Sequence, residues 1–228
     1  MGAPGYAILR VFIGYDPREH RAAEVCEQSL LRHASAPIEV ALIDQAELRA
    51  FNWYWREPDP LASTEFAFTR FLTPFLAEWR GHALFMDCDF LWRGDVMQMM
   101  QYADPSIAVS VVKHDYRPTE TQKMDGKTQT QYPRKAWSSL MLFNCAHPQL
   151  RVLTPELVNS ASGLYLHQLQ WVTDDVLGEL PLRYNYLEGW NTREQCADPV
   201  GVHMTRGGPW FEHMQDVEYA DEWRAYGL

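Results

Sequence analysis

The sequence predicts an α/β fold, a parallel sheet with helices packed against it. Two observations carry this. The chain opens on a strand-helix-strand pattern, and short apolar strand candidates then recur between helical stretches, as crossover-connected parallel strands require. A third observation says where a ligand belongs. The stretch Ala83-Leu84-Phe85-Met86-Asp87-Cys88-Asp89-Phe90-Leu91-Trp92 is an apolar run that meets two aspartates one residue apart. Extended residues two apart point to the same side, so Asp87 and Asp89 present their carboxylates together. In sheets of this kind ligands bind beyond the carboxyl ends of the strands.

The elements follow in order. Ala7 to Gly14 is rich in branched and aromatic residues and reads as a first strand. Tyr15-Asp16-Pro17 is a turn, and Pro17 stands where a helix can begin. Arg18 to His33 carries Ala22, Val25, Cys26, Leu30 and Leu31 at helical spacing, and Pro37 to Ile43 is the second strand. Asp44 caps a short helix through Ala50. Phe51-Asn52-Trp53-Tyr54-Trp55 is an aromatic cluster that fits packing on the sheet edge or a platform for sugar rings. Ser63 to Glu78 is predicted helical, with Arg70 among its apolar residues. His82 to Met86 is the strand leading to Asp87. Met97, Met99 and Met100 follow Gly94-Asp95 on a short helix and read as core filler.

Ile107 to Val112 is another strand. Lys113 to Lys135 is polar, holds Pro118, Gly126 and Pro133, and is expected to form a loop or small hairpin over the site. Ser138 to Cys145 is a strand, Thr154-Pro155 starts a short helix, and Leu164 to Trp171 is helical. Leu180 to Tyr186 reads as extended, and Val200 to Met204 as a last short strand ending near His203. Gly207-Gly208-Pro209 forces a tight turn. Val217 to Leu228 is amphipathic and expected to be helical. One domain over residues 1–228 is expected, with 200–228 closing the site.

Composition bounds the function. The chain has 228 residues, 46% hydrophobic and 22% charged, with a net charge of −10. That balance argues against nucleic-acid binding, which needs basic surface to neutralise phosphates. Cys26, Cys88, Cys145 and Cys196 are scattered without paired ligand spacing, which argues against a zinc site and for a reducing, cytoplasmic setting. No basic-then-apolar leader pattern and no membrane-spanning stretch is found, which leaves room for peripheral membrane contact only.

Two ionised carboxylates side by side repel, and poor hydration sharpens the repulsion. A hard divalent cation relieves it while keeping places for phosphate oxygens. Taken alone, Asp87 and Asp89 fit either such a metal-diphosphate site or a polar strand cap before a turn. Asp16 fits either the same sheet edge or a plain turn. His203, beside a glycine-rich turn, fits either a ligand or a structural histidine.

The order of motifs resembles glycosyltransferase family 8. Thr69 to Phe75, Ala83 to Asp89 and Gly94-Asp95 look like that family's arginine helix and Asp-x-Asp strand. Trp137 to Asn144, Asp174-Asp175-Val176-Leu177 and His203 to Trp210 look like its later motifs. Ser138-Ser139-Leu140 stands where the family has Asn-Ser-Gly, and Gly208 where it has a phosphate-binding lysine. The resemblance implies a GT-A-like (Rossmann-like) domain with a mixed, mainly parallel central sheet flanked by helices. It implies a metal-dependent, retaining glycosyltransferase that moves a sugar from a nucleotide-diphosphate donor, a UDP-sugar, to a glycan or glycolipid acceptor. Carried over by position, Asp87, Asp89 and His203 hold Mn2+ or Mg2+. Tyr15, Asp16 and Arg70 bind the donor, and Asn144 and Asn185 reach sugar hydroxyls. Arg206 with Gly207 and Gly208 meets phosphate, Asp174 stands at the reacting carbon, and Asp175 orients donor hydroxyls or the acceptor.

Three other classes compete with this reading. A sugar-nucleotide-forming nucleotidyltransferase wants a glycine-rich phosphate loop after the first strand, where Gly14-Tyr15-Asp16-Pro17 stands instead. A glycoside hydrolase wants two carboxyls roughly 5 Å or more apart across a scissile bond. A catalytically inactive carbohydrate- or nucleotide-binding protein of the same fold fits the missing lysine.

Overall fold

A computed structural model describes residues 8–60, 62–116 and 133–227. Strand β1 (Leu9–Gly14) is buried along nearly its whole length, so its apolar run is continuous rather than alternating. A 3-10 turn, Pro17–Glu19, follows with Asp16 as its cap, then helix α1 (His20–His33). Helix α1 buries Ala22, Ala23, Val25, Cys26, Ser29 and Leu30, a stripe one helical face wide, while Leu31 is exposed. Strand β2 (Ile38–Ile43) returns parallel to β1, and Asp44 caps α2 (Gln45–Ala50).

The helix expected over Ser63 to Glu78 is broken. Only a 3-10 turn Thr69–Leu72 and α3 (Thr73–Leu76) form, with Pro74 in the first turn of α3. Strand β3 (His82–Met86) pairs with β1 on the side opposite β2. The acidic residues separate β3 from a short strand, β4 (Phe90–Trp92), which joins a different sheet. The methionines lie on a 3-10 segment, Val96–Tyr102. Strands β5 (Val109–Val111), β6 (Leu140–Asn144) and β7 (Leu177–Glu179) complete the first sheet, in the order β2-β1-β3-β6-β5-β7. Strand β6 is antiparallel to β3 and β5, so it runs against the others. The sheet is mixed and mainly parallel, as expected.

Helices α4 (Pro155–Ser160) and α5 (Gly163–His167) lie between β6 and β7. The stretch expected to be extended from Leu180 is instead a 3-10 turn, Leu182–Tyr184, before the two-residue strand β8 (Tyr186–Leu187). Strand β9 (Gly201–His203) sits between β4 and β8 in a three-stranded second sheet. That sheet packs through Leu91, Tyr186, Val202 and Met204 on Val25 of α1 and on Tyr219 and Trp223. Trp223 belongs to α6 (Ala220–Arg224), a much shorter helix than expected over 217–228. Most of the polar loop expected over the site, residues 117–132, lies outside the described residues.

Candidate metal and substrate site

The site forms where the two sheets meet. Asp87 follows β3 and Asp89 precedes β4, so one three-residue passage links the sheets and holds both carboxylates. The Asp87 amide donates to the Ser139 carbonyl at 3.0 Å, and the Asp89 backbone carbonyl accepts from the Met204 amide at 3.0 Å. In the second sheet Phe90 lies opposite His203. Their rings stack with centroids 4.6 Å apart and planes 16° apart, which fixes the imidazole plane. His203 Nε2 then lies 3.2 Å from Asp89 Oδ1 and 4.0 Å from Asp87 Oδ2. One ligand atom from each of Asp87, Asp89 and His203 falls within 4.8 Å of the others.

Behind this group stands Arg70, only 5% exposed. Its Nη1 donates to Asp87 Oδ1 at 2.7 Å and to the Ser138 carbonyl at 2.9 Å. Phe66 and Phe85 flank the guanidinium at 5.2 Å. Burial still pushes the Asp87 carboxyl upward, against the pull of Arg70 and His203, with Asp89 adding repulsion. Burial lowers the His203 pKa, but the Asp89 and Asp87 charges outweigh it and hold the ring's pKa above the ordinary histidine value. A further acid was not anticipated. Glu19, buried where α1 begins, accepts from Cys88 Sγ at 3.6 Å. Burial, then Asp89 and Asp16, raise its pKa strongly. Three carboxyls and one guanidinium thus crowd a dry corner, the arrangement a divalent cation relieves. The residues fit such an ion. Asp89 Oδ1 is buried with His203 Nε2, 3.2 Å away, as the polar group facing it, and the donor set of two carboxylates and one imidazole suits a hard divalent cation better than a thiolate-seeking metal.

The other expected site residues divide. Tyr15 sits at this edge, half-buried, its hydroxyl 3.1 Å from His20 Nδ1. Asp16 is at the edge too, but its carboxylate is fully buried and accepts from Arg18 N, Nε and Nη2 and from Glu65 N. These hydrogen bonds, more than offsetting burial, hold its pKa low. A carboxylate has about four acceptor positions, so Asp16 latches the turn rather than offering itself to a ribose. Asn185 does not face a sugar either. It is fully buried behind His203, its Oδ1 3.1 Å from Nδ1 and its amide donating to Ser139 Oγ at 2.9 Å.

Asn144 is a larger correction. Because β6 is reversed, its end lies opposite His82, five residues back from Asp87 along β3. At the usual strand rise that is roughly 16 Å from the acidic pair. There its amide donates to the Pro105 carbonyl at 3.2 Å. Asp174 and Asp175 precede β7, whose first residue Leu177 aligns with Val109 at that same distant end. Asp174 is exposed and pairs with Arg134 at 2.5 Å, and Asp175 is exposed. What reaches the site from this side is α5, where His167 Nδ1 lies 2.9 Å from Ser138 Oγ.

The glycine-rich turn also differs from expectation. The Gly207 amide donates to the Met204 carbonyl at 2.7 Å and so is not turned to a phosphate. Gly208 is required by packing, since a Cβ there would stand 2.2 Å from the Trp210 ring. Arg206 lies across Gly189, where an added Cβ would fall 1.6 Å from Nη2. Its Nη2 is 3.6 Å from buried Glu188, beyond a good hydrogen bond, and its buried Nε has no partner. Near by, His114 is buried with Nε2 unpartnered, and burial with the His203 charge pushes its pKa down to about 3. Ser138 and Ser139 lie in the segment that the resemblance marked, whereas His114, His167 and Glu188 carry no sequence signal of their own, because only tertiary contact brings them here.

Comparison with known proteins agrees with this architecture. No protein-family model matches the sequence. The WbbM bifunctional glycosyltransferase aligns at a TM-score of 0.69 and 14% identity, over 99% of this chain and 50% of that one. Apo GlyE of Streptococcus pneumoniae TIGR4 gives 0.64 and 16%, over 97% and 60%. The chain thus spans half to three-fifths of these two structures. Galactosyltransferase LgtC, in complex with donor and acceptor sugar analogs, gives 0.57 and 12%, over 95% and 94%. The fold is the GT-A-like fold of these glycosyltransferases. In sequence, the Arabidopsis thaliana protein "Protein CDI" is 48% identical over 218 residues, 94% of this chain and 84% of that protein. By that identity and coverage, the chain belongs to the family of Protein CDI.

Proposed function

We propose that the protein is a metal-dependent glycosyltransferase related to family 8, taking a nucleotide-diphosphate sugar as donor and a glycan or glycolipid as acceptor. The observation that carries this is the convergence of Asp87, Asp89 and His203 at the strand ends of a GT-A-like sheet, with Arg70 braced behind them. Asp87, Asp89 and His203 would hold a divalent cation, which would supply positive charge for the donor's diphosphate. The chain's own residues do the rest. Arg70 keeps the Asp87 carboxylate turned to the site, and Phe90 holds the His203 ring. Arg206 is the cation that stands in for the lysine replaced by Gly208, its Nε having no partner. Retention, a UDP donor and a cytoplasmic site of action rest on the resemblance and on composition. Asp174 and Asp175 receive no catalytic step.

A thermal-shift panel of nucleotide diphosphates and their sugars, with and without Mn2+, tests the reading. A ligand bound only by the folded state raises apparent stability by mass action. The expected result is stabilisation by one nucleotide diphosphate that needs the metal and vanishes in Asp87→Asn. Gly208 in place of a lysine favours a second reading, a binding protein without turnover. Metal-dependent nucleotide binding with no sugar transfer or donor hydrolysis selects it. No response to any nucleotide sinks both.

A further inference from the structure

We infer that Asn185 is a positioning residue that fixes the tautomer of His203 through a buried relay, so that Nε2 meets the acidic pair as a bare lone pair. The inference rests on the metal reading above and deepens it.

The relay can be read atom by atom. The Ala136 carbonyl can only accept, and Ser139 Oγ donates its one proton to it at 2.7 Å. Ser139 Oγ therefore meets Asn185 as an acceptor, and the Asn185 amide donates to it at 2.9 Å. That sets which way the amide points, with Oδ1 facing His203 Nδ1 at 3.1 Å. A carbonyl oxygen cannot donate, so the proton of the neutral ring sits on Nδ1. Nε2 is left with its lone pair towards Asp89 Oδ1 and Asp87 Oδ2. The flipped amide would turn its N–H groups on Nδ1 and drive the proton to Nε2. There it would make a hydrogen bond to Asp89 in place of a ligand bond. Serine at 139 decides between the two arrangements. Its carbonyl also accepts from the Asp87 amide, so one residue at the head of β6 sets both the carboxylate and the imidazole. Ser139, Asn185 and His203 are buried, at 4%, 0% and 2% exposure, and Ala136 at the outer end of the relay is half-buried. Water therefore does not compete for the two inner bonds, Asn185 to Ser139 and Asn185 to His203.

Two readouts test this. The first is multiple-bond 15N NMR of His203 in the metal-free protein, above the pH at which the ring loses its second proton, with His203→Gln giving the assignment. Wild type is expected as the Nδ1–H tautomer, and Asn185→Leu and Ser139→Ala as a mixture or as Nε2–H. The second is Mn2+ binding alone, followed by electron paramagnetic resonance. Asn185→Leu is expected to weaken it by about 10- to 100-fold, Ser139→Ala by less, and Asn185→Asp, which still accepts from Nδ1–H, to stay near wild type. If Asn185→Leu does not fold, Ser139→Ala and Asn185→Asp carry the test. An Nε2–H ring in the wild type overturns the relay. So does wild-type Mn2+ affinity in both Asn185→Leu and Ser139→Ala, where Asp89→Asn has lost it. Unchanged Mn2+ affinity in Asp89→Asn sinks the metal reading instead, and the NMR result still judges the relay.

Discussion

At one end of the six-stranded sheet, Asp87 leaves β3 against Arg70, with Glu19, Asp89 and His203 within reach, the two aspartate side chains only 15% and 12% exposed. At the other end, Asn144 leaves β6 onto a loop carbonyl, and Asp174 approaches β7 with its carboxylate in solvent against Arg134. Both ends carry acids and amides of the kind a sugar-transferring site uses. They differ in dielectric and in mutual distance. A carboxylate in water is solvated, screened and of small consequence, whereas one in a dry corner must find a cation or a proton. The lesson is that chemistry gathers where strand direction brings groups to one edge, and the order of motifs along the chain does not say which edge.

The difference is largest in what a single charge deletion does. Arg70→Ala leaves Asp87 buried without its guanidinium partner, and removes the bond to the Ser138 carbonyl as well. Breaking a buried pair this way costs about 3–5 kcal/mol, less whatever Asp87 recovers by taking a proton. In urea unfolding of the metal-free protein the midpoint should fall accordingly, and nucleotide-diphosphate binding should fall with it. A loss below about 1 kcal/mol, the size of a surface pair, would erase the contrast between the two ends.

How far the sequence told these ends apart depends on the length of the signal. β1, α1, β2 and β3 were legible because each is long enough to show a period or an unbroken apolar run. Asp87 and Asp89 were legible because two acids on one strand face are unusual at the end of such a run. Arg70 and His203 were visible as candidates with a bland alternative each, and the resemblance tipped them towards the site. The reversal of β6 was not legible, since an apolar strand reads the same in either direction, and that reversal misplaced Asn144. β4 and β8 have three and two residues and show no period. Pro74 should have shortened the helix predicted from Ser63. Glu19 is an ordinary polar residue in the sequence, and Asn185 and Ser139 stood out only through the resemblance and in other roles. Their roles come from burial beside partners 18, 46 and 69 positions away.

Glu19 gives the next effect in size and sharpens the comparison through pH. Its folded pKa is raised from 4.5 to about 8 by burial and by the Asp89 and Asp16 charges. The folded state therefore holds a proton that the unfolded chain has released, and stability falls as pH rises from about 4.5 towards 8. Below that window both states are protonated and the penalty is absent. Glu19→Gln keeps an oxygen that can accept from Cys88 and cannot ionise. Without metal, the variant should match wild type near the acid end of the window and exceed it by on the order of 1–3 kcal/mol at the alkaline end. Parallel stability curves across that range would mean that Glu19 is ionised in the fold, and that the corner is wetter than its geometry says.

The smallest effect is expected at the far end. Asp174→Ala removes an ion pair whose carboxylate is 76% exposed. Exposed pairs of this kind contribute about 0–1 kcal/mol, so the unfolding midpoint should barely move. Arg134 keeps its bond to the Gln168 carbonyl and its place over the Trp137 ring, which limits any rearrangement. Donor affinity and turnover should stay within about threefold of wild type, since the lost charge is exposed and paired outside the acidic corner. Turnover is the informative number, because it separates position from charge. A fall of more than about tenfold with stability unchanged would mean that the segment before β7 meets the transferred sugar during reaction. The site would then draw on both ends of the sheet, and Asp174 would return as the group at the reacting carbon.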